Sequence, residues 1–365
     1  MYKDVFPPVA GGIEKQIGAL RGAMPDVVSN VLVCARAPRT RISRVDGALE
    51  VGVAEYGPRW MSVPVAPGLP RWVRKIEADL IHLHMPNPPG ELAALLAGRG
   101  RPIVASYHAD IVRQARFERA YRPLVDACLA RSAAVVAASE GMIERSPGLR
   151  RHASKVSLIR YGVDVHAYRR EAVAPERRAE IRKRYGEPLV VAVGRLVYYK
   201  GYEQLIEAAR GLDANVVIVG DGPERDGLAA LAQGVPNVHL AGRIDERGLV
   251  DHLAAADCFV MSSTSRAEAF GIAVAEAQAM SLPAVVTDTG TGTVEAVEDG
   301  VTGIVVPPLD PGALRDALGA LLGDEGRRRA MGEAARERAV ERHALPERAR
   351  EMRELYERVL ASATV

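Results

Sequence analysis

Two carboxylates, Glu268 and Glu276, stand eight positions apart in the stretch Ser265–Met280, SRAEAFGIAVAEAQAM. A Phe-Gly break lies between them at 270–271, and from about Ile272 the residues are helix formers rich in alanine. A glycine at a helix start lets backbone N–H groups approach a ligand closely, and the helix N-terminus carries about half a positive charge. The natural guest of Gly271, Ile272 and Ala273 is therefore an anion such as a diphosphate. On the helix face Glu276 has Ile272, Ala273, Ala279 and Met280 as neighbours. None is polar, and a carboxylate among apolar groups is costly unless something hydrogen-bonds it. The two adjacent hydroxyls of a ribose would do so; a helix-forming glutamate that reaches water past small alanines is the competing reading. Glu268, in the loop ahead of the helix, could reach a group beyond the diphosphate.

Arg195 and Lys200 follow the apolar run Leu189–Val193, at the strand end where a parallel sheet holds its ligand. Two cations there would neutralise a diphosphate and continue to do so as its leaving oxygen gains charge. Lysine is scarce in this chain, which argues against filler, although a solvated loop pair is the ordinary alternative. No Asp-x-Asp occurs to hold a metal against a diphosphate, so a metal-independent reaction without a cofactor is expected. His108 ends the run Ile103–Tyr107, and His82 and His84 end the one before it; a strand-end histidine commonly bonds backbone, and the latter two are assigned no chemistry. Gly11-Gly12 opens a helical pattern carried by Ile17, Leu20 and Met24. Such a pair cradles phosphate when a strand precedes it and is otherwise a turn.

The pair Glu268 and Glu276 with Gly271 between them resembles the E-x7-E signature of the retaining GT-B glycosyltransferases of family 4, the glycosyl transferases group 1. The resemblance runs from Pro7 to the end of the chain, and its motifs are individually weak but jointly specific. It implies an α/β protein of two Rossmann-like, doubly wound parallel-sheet domains facing a cleft. Residues 1–165 would form the acceptor-side domain and 166–345 the nucleotide-sugar domain, with 346–365 a helix returning toward the first. The resemblance implies that His108 contacts the transferred sugar near the reacting carbon and that Glu268 holds sugar hydroxyls. Arg195, Lys200 and the amides around Gly271, Ile272 and Ala273 would take the diphosphate, Glu276 the ribose, and backbone around Arg243 the base. Gly12 would lie in the phosphate-cradling loop of the first domain. The implied reaction moves a hexose from a nucleotide-sugar donor to a hydroxyl of a glycan or lipid-linked acceptor, as in bacterial surface polysaccharide synthesis. A sugar-nucleotide 2-epimerase and a non-catalytic nucleotide-sugar binder share the architecture and stay open here. The family has a strand before its Gly-Gly loop, whereas residues 1–6 are too few and too polar for one; the expectation is that this first strand is missing and that the natural product begins upstream.

The elements that must position these residues read as alternating apolar strands and amphipathic helices, the pattern of parallel sheets covered on both faces. Strands are expected at Val27–Cys34, Asp79–Leu83, Ile103–Tyr107, Ala134–Ala138 and Val156–Ile159, then at Leu189–Val193, Val216–Val219, Val238–Ala241 and through to Ile304–Val306. Arg36–Gly47 reads as a basic loop, Arg169–Tyr185 as one charged helix, and three helical patterns follow Pro311 without intervening strands. At 365 residues with 48% hydrophobic and 26% charged, two globular domains are expected. Cys34, Cys128 and Cys258 each lie in an apolar run and read as buried thiols. Without a leader or an apolar span, a cytoplasmic enzyme is expected. Net charge is +8 up to Tyr168 and −6 beyond it, so the basic half admits peripheral contact with an anionic membrane. No basic motif interleaved with aromatics points to nucleic acid.

Overall fold

A computed structural model describes residues 11–363, except 36, 38, 46, 58–62, 99 and 110–114. The chain divides into two compact units: Met1–Gly162 together with Pro346–Val365, and Val163–Leu345.

In the first unit, β1 (Val31–Ala35), β2 (Arg41–Val45) and β3 (Ala48–Ala54) form a sheet in the order β1-β3-β2. A second sheet runs β4 (Ile81–Met85), β5 (Ile103–Tyr107), β6 (Ala134–Ala137) and β7 (Val156–Leu158) in chain order, parallel throughout. β5 and β6 are buried at every residue, as parallel strands covered on both faces must be. Residues 1–10, on which the question of a first strand turns, lie outside the described residues.

The basic loop expected at 36–47 is corrected by the structure. Arg41–Val45 is a strand exposed at every position and paired antiparallel with β3, Val45 opposite Ala48. Gly47, at φ 81°, takes the left-handed conformation that a two-residue hairpin turn demands. A strand with no buried face needs no alternation of apolar residues, so its composition reads as loop.

The helix Leu345–Ala363 closes the first unit. Its Ala349, Met352, Leu355 and Val359 recur at helical spacing and pack against Val104, Ala134, Val136 and Ile159.

The second unit holds β8 (Leu189–Val193), β9 (Asn215–Val219), β10 (Val238–Gly242), β11 (Cys258–Met261), β12 (Ala284–Thr287) and β13 (Gly303–Val306). All pair in parallel, in the order β10-β9-β8-β11-β12-β13. The order reverses between β8 and β11, and a doubly wound sheet binds its ligand beyond the strand ends at that switch point. Val190, Val216 and Val260 of the sheet bury with Leu205 of helix Tyr202–Ala209 and Leu318 of helix Pro311–Leu322.

The single helix expected over 169–185 is also corrected: a short 3-10 turn, Arg170–Ala172, precedes helix Pro175–Tyr185. Pro175 disfavours helical geometry at Ala174, whose ψ is 138°, and itself fits the first helical position. Cys34, Cys128 and Cys258 are buried free thiols, as expected. Among the described residues no helix is long and apolar enough to cross a membrane.

Candidate active site

Three strand-end loops converge at the switch point of the second unit. β8 leads through Gly194 and Arg195 into the turn Tyr198–Lys200. Gly201 follows at φ 62°, where a Cβ would collide with the Ser262 carbonyl oxygen. Glycine thus lets the loop after β8 lie flat on the loop after β11. The Thr264 amide donates to the Tyr199 carbonyl at 2.8 Å, and Ser262 Oγ donates to the Lys200 carbonyl at 3.0 Å. The loop after β12 joins them: Thr287 Oγ1 donates to the Ser263 carbonyl at 2.5 Å and Thr291 Oγ1 to the Glu268 carbonyl at 2.6 Å.

These loops bring Lys200 and Glu268 into direct contact. Lys200 Nζ lies 2.5 Å from Glu268 Oε2, with the two side chains only 12% and 10% exposed. Ser263 Oγ donates to the same carboxylate oxygen at 3.4 Å. The sequence analysis assigns the two residues to different groups of a ligand; the structure pairs them with each other. A diphosphate that engages Lys200 therefore competes with Glu268 for it. Arg195 stands exposed on the same loop. The Tyr199 hydroxyl is pushed above its ordinary pKa, first by burial and then by the Glu268 charge, against the opposing pull of Arg195.

Gly271 caps helix Ile272–Ala279 at φ 75°, and a Cβ there would press on Met261 Sδ at 2.9 Å. Val274 through Ala279 are buried, while Ile272 and Ala273 are half-buried, so the helix opens outward at its first turn. Glu276 is 4% exposed. The Tyr168 hydroxyl stands close to it and donates its one proton to Glu246 Oε1 at 2.5 Å. Burial foremost, then the Glu276 charge, raises the Tyr168 pKa and keeps its proton in place. Arg336 anchors the segment: Nη1 donates to the Tyr168 carbonyl at 2.7 Å, Nη2 to the Val165 carbonyl at 2.8 Å, and Nη1 also to the Ala279 carbonyl. Sequence reasoning missed Tyr168, Glu246 and Arg336, which reach Glu276 and its helix from distant segments with no local pattern. Arg243 follows β10 and is exposed, two strands out from β8.

The remaining candidates, Gly12 and His108, belong to the first unit. Gly12 opens helix Gly12–Gly22 behind an extended Gly11. The Glu14 carboxylate folds back over this helix start so closely that a Cβ on Gly11 would collide with it, and Glu14 is 6% exposed. A phosphate at those amides would have to displace that carboxylate. His108 is buried after β5, its Nδ1 2.6 Å from Tyr161 Oη and its Nε2 2.9 Å from His84 Nδ1.

Fold and site define a doubly wound α/β protein with two cations, two glutamates and a helix N-terminus at one switch point. The chain belongs to the family-4 glycosyltransferases: residues 10–167 match the family model described as Glycosyltransferase Family 4, and residues 173–338 the one described as Glycosyl transferases group 1. It is 36% identical to a D-rhamnosyltransferase of Pseudomonas aeruginosa over 323 residues, which cover 87% of this chain and 84% of that one. It is 30% identical to the O-antigen chain mannosyltransferase C of Escherichia coli over 354 residues, 93% of this chain and 92% of that one. An Anabaena protein solved in complex with UDP-glucose matches it with a TM-score of 0.80 and 20% identity over 98% of both chains. The protein is a glycosyltransferase of the GT-B type.

Proposed function

We propose that the protein transfers a hexose from a nucleoside-diphosphate sugar to a hydroxyl of a glycan or lipid-linked acceptor, with retention and without a metal, in the assembly of a bacterial surface polysaccharide. The observation that carries this reading is the switch-point cluster, where Lys200, Arg195 and the first turn of helix Ile272–Ala279 stand beside Glu268 and the buried Glu276. The solved neighbour's UDP-glucose and the O-antigen chain assignment of the Escherichia coli relative support the donor class and the pathway. Cations and helix amides at a leaving diphosphate gain most as its charge develops, the condition for catalysis as opposed to mere binding.

In this mechanism the acceptor oxygen bonds to the sugar's anomeric carbon on the face from which the diphosphate departs. The carbon–oxygen bond to the diphosphate breaks, and the hydroxyl proton passes to the departing phosphate oxygen. No protein nucleophile is needed. Glu268 holds sugar hydroxyls, Glu276 takes the ribose, and His108 meets the sugar near the reacting carbon. Backbone around Arg243 borders the base. The positive charge that meets the diphosphate is assigned to Lys200, Arg195 and the helix. The enzyme would work in the cytoplasm, at the inner face of the membrane that carries its acceptor.

Thermal-shift and donor-hydrolysis measurements with GDP-mannose and UDP-glucose, each with and without EDTA, test the proposal. One donor should stabilise the protein and be turned over equally in EDTA, with the product retaining the anomeric configuration by NMR. Glu276→Gln should weaken nucleoside diphosphate binding by about 1.5–3 kcal/mol, because a ribose hydroxyl then meets an amide N–H in place of an acceptor. Loss of activity in EDTA would overturn metal independence, an inverted product would overturn retention, and unchanged affinity in the variant would overturn the ribose role.

A further inference from the structure

His108 is only 4% exposed, and partners hold both of its ring nitrogens. The backbone fixes its place: the His108 amide donates to the Met85 carbonyl at 3.0 Å, at the C-terminal end of β4. His84, one residue earlier in β4, lies opposite Ser106 of β5. Its ring is nearly parallel to that of His108, 6° between planes with centroids 5.2 Å apart. On its other side His84 stacks on His82 with centroids 4.2 Å apart. His82 is itself held by Tyr356 Oη at 2.6 Å and Ser106 Oγ at 2.7 Å. Three imidazoles thus stand in a row, His84 and His108 buried and His82 half-buried.

The directions of these bonds follow from what each group can give. A buried phenol needs an acceptor for its proton, and 2.6 Å suits O–H donation to an imidazole nitrogen. Tyr161 therefore donates to His108 Nδ1, which leaves the His108 proton on Nε2. That N–H points at His84 Nδ1, 2.9 Å away, which accepts it when His84 is neutral with its own proton on Nε2. Burial foremost, with His82 and His108 acting in the same sense, keeps His84 neutral by holding its pKa well below the usual value. A charged His84 would set two N–H groups against each other.

We propose that His84 is a positioning residue for the transfer reaction: by accepting from the Nε2–H that Tyr161 leaves on His108, it fixes the plane of that ring. This rests on the reading of His108 as the residue that meets the sugar. Without His84 the Nε2 proton loses that acceptor and the plane of the ring is no longer held at that nitrogen, while Tyr161 still donates to Nδ1.

The test uses the full chain labelled with 15N-histidine, together with His84→Leu and His84→Asn. In the parent, His108 should show an acceptor-type Nδ1 and a protonated Nε2. His84→Leu should shift the protonated Nε2 signal and lower kcat about two- to tenfold, the worth of one neutral hydrogen bond. KM for the accepted donor, GDP-mannose or UDP-glucose, should stay within about twofold, since the link acts on orientation more than on donor binding. Asn, whose amide oxygen can accept in place of Nδ1, should recover most of the rate. Unchanged kcat and ring signals in His84→Leu would overturn the proposal. So would a parent His108 protonated on Nδ1, a readout that needs no variant to fold. His108→Ala separates the two layers: parent-like transfer by that variant would defeat the sugar-contact reading, while the ring signals would still decide the His84 link.

Discussion

Lys200→Ala separates a residue that serves only the ligand from one that also holds the site together. Lys200 meets Glu268 at 2.5 Å with both side chains about nine-tenths covered, so its removal leaves the carboxylate with the Ser263 Oγ donor at 3.4 Å, a long bond. Breaking a buried pair from one side costs about 3–5 kcal/mol when burial is complete. The residual exposure of this pair lets water in, and about 2–3 kcal/mol is the reasonable share. For a unit of this size that is a fall of about 4–12 °C in Tm. Lys200→Ala/Glu268→Ala removes both charges and should melt higher than Lys200→Ala alone, with a coupling of about 1–3 kcal/mol in the double-mutant cycle. Arg195→Ala, at an exposed position, should leave Tm within about 1–2 °C and lower turnover on the order of a hundredfold. Differential scanning calorimetry on the four proteins of the cycle reads the first effect. An unchanged Tm in Lys200→Ala, or a double variant no more stable than that single one, would refute the argument that the cation stabilises Glu268.

Glu91 supplies a pH dependence of stability. It lies fully buried in the first turn of helix Pro88–Ala97, accepts from the Asn87 amide at 2.7 Å and from the Tyr121 hydroxyl, and burial raises its pKa to about 7. Between the ordinary carboxylate value of 4.5 and about 7 the folded chain keeps a proton that the unfolded chain has released, so stability falls as pH rises through that window. The full span is worth about 3 kcal/mol. Glu91→Gln should flatten that decline in urea melts from pH 4 to pH 8, and an equally steep decline in the variant would assign the effect elsewhere. The proposed membrane contact is tested with vesicles. Arg71, Arg74 and Lys75 are exposed on helix Leu69–Lys75, which packs against helix Pro88–Ala97, where Leu92 and Leu96 are 48% and 61% exposed. The protein should co-sediment with phosphatidylserine vesicles and lose about 1 kcal/mol of binding per basic residue replaced by Gln; equal binding to neutral phosphatidylcholine vesicles would defeat the reading.

Much of the second unit was legible in the sequence. Parallel strands buried on both faces are continuous apolar runs, so Leu189–Val193 and the core of β9 can be read directly, and the half-buried edge strands β10 and β13 keep enough apolar residues to be read as well. The E-x7-E spacing and Gly271 marked the helix start, because a left-handed cap and a buried glutamate both leave a local signature. The hairpin at β2 and β3 was missed although Asp46-Gly47 is a turn signal, because Arg41–Val45 buries nothing and its charges suggested loop. The break before Pro175 was visible as a proline inside a helical pattern and outweighed by the surrounding charge.

By itself the sequence determined the fold class, the residues crowded at the strand ends and the family. These depend on local periodicity, on turn chemistry and on motifs whose spacing is set within one element. Only the tertiary structure decided who partners whom. Lys200 closes on Glu268, Tyr168 donates to Glu246 close to Glu276, and His108 is held between Tyr161 and His84. Each pairing joins residues far apart in the chain. It exists because the sheet order puts β11 beside β8 and β5 beside β4, a consequence of how whole strands bury their faces that no local stretch of sequence carries.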